Sequence, residues 1–111
     1  MVDMLYGLSE KTIERIIGIF RSHNEIEEAI LYGSRAKGNF KPGSDIDLAL
    51  KGPDLNLKIM SKITLALDDL LLPYTFDLCI YHQIDNPDLI DHIERVKKVF
   101  YKKNGDGPIS S

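Results

Sequence analysis

Asp45 and Asp47 stand two apart, flanked by Ser44, Ile46 and Leu48, where apolar residues alternate with acids. In an extended strand, residues i and i+2 project from one face, so the two carboxylates share a side about 7 Å apart. Like charges this close repel unless a cation lies between them. Magnesium suits such a pair: it takes hard oxygen ligands and usually combines one or two carboxylates with phosphate oxygens and water. Asp77, between Phe76 and Leu78 in another apolar stretch, is a candidate third carboxylate. Three such groups can hold two ions about 4 Å apart, activating an attacking oxygen and stabilising a departing pyrophosphate.

Gly33-Ser34 has a different task. Glycine permits close backbone approach. The Ser34 hydroxyl and the amides after it can hold a phosphate at the start of a short helical turn, residues 35–37, which Gly38 ends. Arg35, Lys37 and Lys41 add positive charge for a triphosphate. Each motif alone has a plainer reading. Gly-Ser is a common turn, Asp-x-Asp also occurs on solvated strand faces and in metal-binding sugar transferases, and a lone acid in a strand can be a satisfied buried group. Their relative placement decides.

The elements that must position them are legible from periodicity. Ser9 reads as an N-cap with Glu10 in the first turn, and Ile13, Ile16, Ile17 and Phe20 repeat at helical spacing, predicting a helix over residues 10–22. Residues 28–32 form a short apolar run ending at Gly33, a buried strand. Pro42-Gly43 marks a turn, after which Ile46, Leu48 and Leu50 alternate with Asp45, Asp47 and Ala49 as a second strand. A longer helix is predicted over 54–72, with Ile59, Met60, Ile63, Ala66, Leu67, Leu70 and Leu71 on one stripe and Pro73 as terminator. Residues 74–81 read as a third strand. Asn86-Pro87 opens a last helix that turns Leu89, Ile90 and Ile93 to the core. Residues 96–101 either extend it or form an edge strand, and residues 104–111 read as a flexible tail.

The predicted order is α-β-β-α-β-α, an α/β domain with a small mixed sheet and flanking helices. The short connection between the first two strands favours an antiparallel pair, and the helix between the second and third provides the crossover that parallel neighbours need. In that sheet Gly33-Ser34, Asp45, Asp47 and Asp77 converge on one edge.

Composition narrows the classes. With 111 residues, 43% apolar and 28% charged, the chain is expected to form one domain, without room for a separate substrate domain. No apolar run approaches the roughly 18 residues that span a bilayer, and the N-terminus lacks the layout of a secretory signal. The single cysteine, Cys79, permits no intramolecular disulfide and fits a cytoplasmic location. Its neighbours Leu78 and Ile80 suggest a buried, inert thiol. A net charge of −3 argues against direct nucleic-acid binding, although a nucleotide needs only local positive charge. His23, His82 and His92 show no metal-ligand spacing, and Tyr32, Tyr74 and Tyr81 read as packing residues. Lys97, Lys98, Lys102 and Lys103 read as a solvated basic face.

Gly33-Ser34-Arg35-Ala36-Lys37-Gly38 followed by Gly43-Ser44-Asp45-Ile46-Asp47-Leu48 closely resembles the signature of polymerase-beta-like nucleotidyltransferases. The whole chain resembles their minimal nucleotidyltransferase (MNT) branch, with Phe76-Asp77-Leu78 at the place of the third carboxylate. The resemblance implies transfer of a nucleoside monophosphate, AMP from ATP, with two Mg2+ ions bound by Asp45, Asp47 and Asp77. It makes Asp77 also the general base, and gives Gly33, Ser34, Arg35, Lys37 and Lys41 to the nucleotide. It further implies an antitoxin paired with a helical HEPN toxin, in a group where some members transfer AMP to a tyrosine of the toxin. A homo-oligomer is the other way to complete the cleft. Two other functions differ in class or acceptor: neutralisation of a partner by contact alone, and transfer to a small molecule, as in aminoglycoside-modifying relatives that carry additional domains.

Overall fold

A computed structural model describes residues 4–104. The expected flexible tail, 104–111, lies outside the described residues except for Asn104. A two-residue hairpin opens the chain: β1 (Met4–Leu5) pairs antiparallel with β2 (Leu8–Ser9) through the Tyr6-Gly7 turn. Helix α1 (Glu10–Arg21) follows. Ser9 Oγ accepts from Thr12 N at 3.1 Å as its cap, and Ile13, Ile16, Ile17 and Phe20 are its buried face. Next come β3 (Glu28–Tyr32), a short α2 (Gly33–Lys37) and β4 (Ile46–Lys51). The second half contains α3 (Leu57–Asp68), β5 (Phe76–Ile80), a 3-10 turn (Tyr81–Gln83), α4 (Pro87–Val96) and β6 (Lys98–Lys102).

The main sheet runs β5-β4-β3-β6. β3 lies antiparallel to β4 and β6, and β4 lies parallel to β5. Strand alternation divides the core in two. Ala29, Leu31, Ile46, Leu48 and Leu50 pack with α1 and α3 on one face, where Phe20 and Phe100 meet edge to face. Ile30, Tyr32 and Ala49 form a smaller cluster with Ile93 of α4 on the other. Among the described residues, no helix is long and apolar enough to cross a membrane.

Several predicted boundaries change. Asn56, whose side chain accepts from Ile59 N at 2.9 Å, starts α3 later than residue 54. The helix ends at Asp68, well before Pro73, and Leu71 takes a left-handed φ of 55° that leaves it 89% exposed rather than on the core stripe. The third strand loses both predicted ends: Tyr74 stacks against Arg35, and Tyr81 enters the 3-10 turn. Within α4, Ile93 is fully buried, whereas Leu89 and Ile90 are half-buried. The undecided stretch after α4 is an edge strand, β6, and the first hairpin was not predicted.

Candidate active site

Asp47 and Asp77 sit opposite each other in the parallel β4-β5 register, and Tyr32, the last residue of β3, pairs with Asp47 from the other side. Both acids occupy the sheet face on which α4 packs through Ile93. Asp45 lies one residue before β4 and is exposed. Ile46 and Leu48, between and after the acids, are fully buried on the opposite face. Strand alternation therefore sends the carboxylates and the aliphatic side chains apart.

Gly33 begins α2 with φ of 75°, a conformation that costs glycine little. A Cβ there would also strike the Asp47 Oδ2 atom. The turn and the acid are thus in direct contact, and only glycine satisfies both constraints. Ser34, half-buried, accepts the Gly38 amide through its backbone carbonyl at 2.9 Å, closing α2 at left-handed Gly38. Lys37 and Lys41 are exposed, and neither is in an ion pair among the described residues.

Arg35 differs from the sequence expectation. It is 2% exposed and donates through Nε and Nη2 to Ser44 O at 3.1 and 2.8 Å, through Nη2 to Pro42 O at 3.2 Å, and through Nη1 to Tyr6 O at 2.9 Å. Its guanidinium lies between the Phe40 and Tyr74 rings, 5.3 and 5.0 Å from their centroids. Four of its five donors thus go to backbone carbonyls, and the buried side chain is turned toward the protein. Its charge also opposes the upward shift of the Asp47 carboxyl.

The electrostatics identify Asp47 as the stressed member. Its carboxyl is pushed up to about 6, first by burial, then by the negative charges of Asp77 and Asp45, with Arg35 opposing. Burial also raises the Tyr32 hydroxyl, and both the adjacent Cys79 and the two acids add to the effect. Cys79 is half-buried, 3.7 Å from Tyr32 Oη, and burial raises its thiol, consistent with an inert cysteine. Among the described residues, no three His, Cys, Asp or Glu side chains stand close enough together to hold a metal ion on their own. Mutually repelling carboxylates at an open edge instead fit an ion whose remaining ligands come from phosphate and water.

His92 was not singled out by spacing, yet its ring meets Tyr32 edge-on at 6.1 Å, putting α4 beside the end of β3. Nothing local in the sequence signals this contact, because it depends on how α4 crosses the sheet. His23 bonds to the end of α1, where its Nδ1 lies 2.9 Å from Ile19 O, and His82 is exposed. Tyr81 is half-buried and packs against the smaller core cluster. Its hydroxyl donates to Glu94 at 2.6 Å and its ring lies under Lys51. In the basic stretch, Lys97 pairs with Glu94, and Lys103 donates to Asn24 O.

The profile of the polymerase beta nucleotidyltransferase family matches residues 14–106. The chain belongs to this family. Among solved structures, a chain of a toxin–antitoxin complex crystallised with AMP-PNP aligns with a TM-score of 0.67 at 22% identity, covering 81% of this chain and 73% of that one. A chain of a complex between a tri-AMPylated Shewanella oneidensis HEPN toxin and an MNT antitoxin aligns with a TM-score of 0.63 at 18% identity, covering 86% and 73%. The MntA–HepT toxin–antitoxin gives 0.62 at 18%, covering 86% and 74%. Comparison with curated proteins returned no match. At these identities the structures establish a shared fold, the polymerase-beta-like α/β fold with a mixed sheet.

Proposed function

We propose that residues 1–103 form a minimal nucleotidyltransferase domain that transfers AMP from ATP to a hydroxyl of a partner protein, acting in the cytoplasm as the antitoxin of a HEPN/MNT pair. The observation that carries this reading is the contact of Asp47 with Gly33, in register with Asp77 and two residues from Asp45. A bound pair of divalent ions would neutralise the triphosphate and make the attacking hydroxyl more acidic. Asp45 and Asp47 are the residues to hold them, with Asp77 as third ligand. Ser34 offers its hydroxyl to a phosphate, while exposed Lys37 and Lys41 draw the triphosphate toward the turn. In the transfer, the acceptor oxygen bonds to the α-phosphorus, the bond to the β-phosphate oxygen breaks, and pyrophosphate leaves. Asp77, exposed at the edge strand, accepts the hydroxyl proton. A protein acceptor suits this open edge, and fold likeness to complexes that contain HEPN toxin and AMP-modified toxin supports the choice of partner.

The test is labelled ATP with magnesium and a co-expressed HEPN-type protein. Label should pass to that protein, and Asp45→Asn or Asp47→Asn should abolish transfer while the fold remains intact. If both variants neutralise the partner as well as the parent chain does, the protein acts by contact alone. Label passing to a small-molecule alcohol and not to the protein would place the acceptor in the small-molecule class.

A further inference from the structure

Residues 39–44 connect the Gly-Ser turn to the acid pair, and their hydrogen bonds fall into two sets. Lys41 N donates to Ser44 Oγ at 2.8 Å and Ser44 N to Lys41 O at 2.9 Å, both within the segment. Among the described residues, the hydrogen bonds tying 39–44 to the rest of the protein are those of Arg35, to Pro42 O and Ser44 O. Ser44 is peptide-bonded to Asp45, and Arg35 follows Ser34. One guanidinium therefore spans both halves of the site.

The same group reaches the N-terminal hairpin. Tyr6 and Gly7 both take left-handed φ, 59° and 77°, the combination that turns a two-residue hairpin. This aims the Tyr6 carbonyl at Arg35 Nη1. A Cβ on Gly7 would strike both the Phe40 ring and Arg35 Nη1. The hairpin turn, Phe40 and Arg35 are thus packed without slack.

We infer that Arg35 is a positioning residue, whose guanidinium, braced by the Tyr6-Gly7 turn, fixes the segment that leads into Asp45 relative to Gly33-Ser34. This rests on the proposed nucleotidyltransferase reading. The task requires a planar fork with several donors in fixed directions. Lysine keeps the charge but offers only three donors from one strongly hydrated nitrogen.

The decisive comparison is the full chain against Arg35→Lys and Gly7→Ala, with amide hydrogen exchange over 39–47 and 28–32 and Mn2+ affinity by electron paramagnetic resonance. Arg35→Lys should speed exchange over 39–47 by roughly tenfold or more, leave 28–32 protected, and weaken Mn2+ binding about 10- to 100-fold, as loss of groups that orient metal ligands does. Gly7→Ala should loosen the same segment while Arg35 remains. Unchanged exchange over 39–47 in Arg35→Lys overturns the inference. So does loss of protection throughout the sheet, because Arg35 would then support the whole fold rather than one segment. If the parent chain binds no Mn2+, the metal-dependent reading fails, and the exchange data still decide the role of Arg35.

Discussion

Asp47 is held where its charge is costly. Its folded carboxyl titrates near 6 against an ordinary value of 3.8, so between these values the native chain binds more protons than the unfolded one. The stability linked to this group is therefore fully present below about pH 4 and is lost as pH rises through 6. Denaturation in EDTA across pH 4 to 8 should show that decline, and Asp47→Asn should flatten it. The variant should also be more stable than the parent at pH 8, by roughly 1 kcal/mol once solvent screening at the sheet edge is allowed for. The same variant should lose transfer by about 100-fold or more. At Gly33 the opposite is expected. Gly33→Ala forces a side chain into a left-handed φ and against Asp47, so it should cost roughly 1 to 3 kcal/mol in denaturant and also lose transfer. A Gly33→Ala protein as stable as the parent would contradict the contact described.

At the scale of elements, α4 has one fully buried side chain, Ile93, on the smaller core cluster, with Leu89 and Val96 packed beside it. Ile93→Ala should cost about 2 to 4 kcal/mol by chemical denaturation. Asn86, whose side chain accepts from Asp88 N at 2.9 Å, caps the same helix, and Asn86→Ala should cost about 1 kcal/mol. Leu71→Glu should be nearly neutral, whereas Leu67→Ala should cost about 2 to 4 kcal/mol. This last contrast marks where sequence periodicity stops informing. Both leucines fit one helical stripe, but the backbone leaves the helix at Asp69, and Leu71 turns outward. Strand alternation, by contrast, was decisive at Ile46, Asp47 and Leu48, because burying one face and opening the other permits only one register. The first hairpin escaped because its strands are too short for alternation, and its turn uses Tyr6 in a conformation tyrosine seldom adopts. Arg35 misled for a related reason. An arginine beside a Gly-Ser turn looks available to phosphate, and only the return of residues 39–44 and of the hairpin occupies four of its five donors.

Taken whole, the molecule separates its chemistry from its core: the acids gather at one end of the sheet while the aliphatic residues fill both faces behind them. This is why substitutions at Asp45 and Asp47 are expected to leave the fold standing. The sheet also has two open sides, and both carry charge. β6 presents exposed Lys98 and Lys102, and β5, the opposite border, presents exposed Asp77. Charged side chains on a border strand discourage another chain from adding to the ladder. Asp77 thus carries a colloidal duty along with its proposed chemical one. Asp77→Asn should raise self-association in light scattering at millimolar ionic strength, whereas Asp45→Asn, outside the strand, should not. The acid proposed to receive the proton would then also keep neighbouring copies of the chain from stacking onto the sheet.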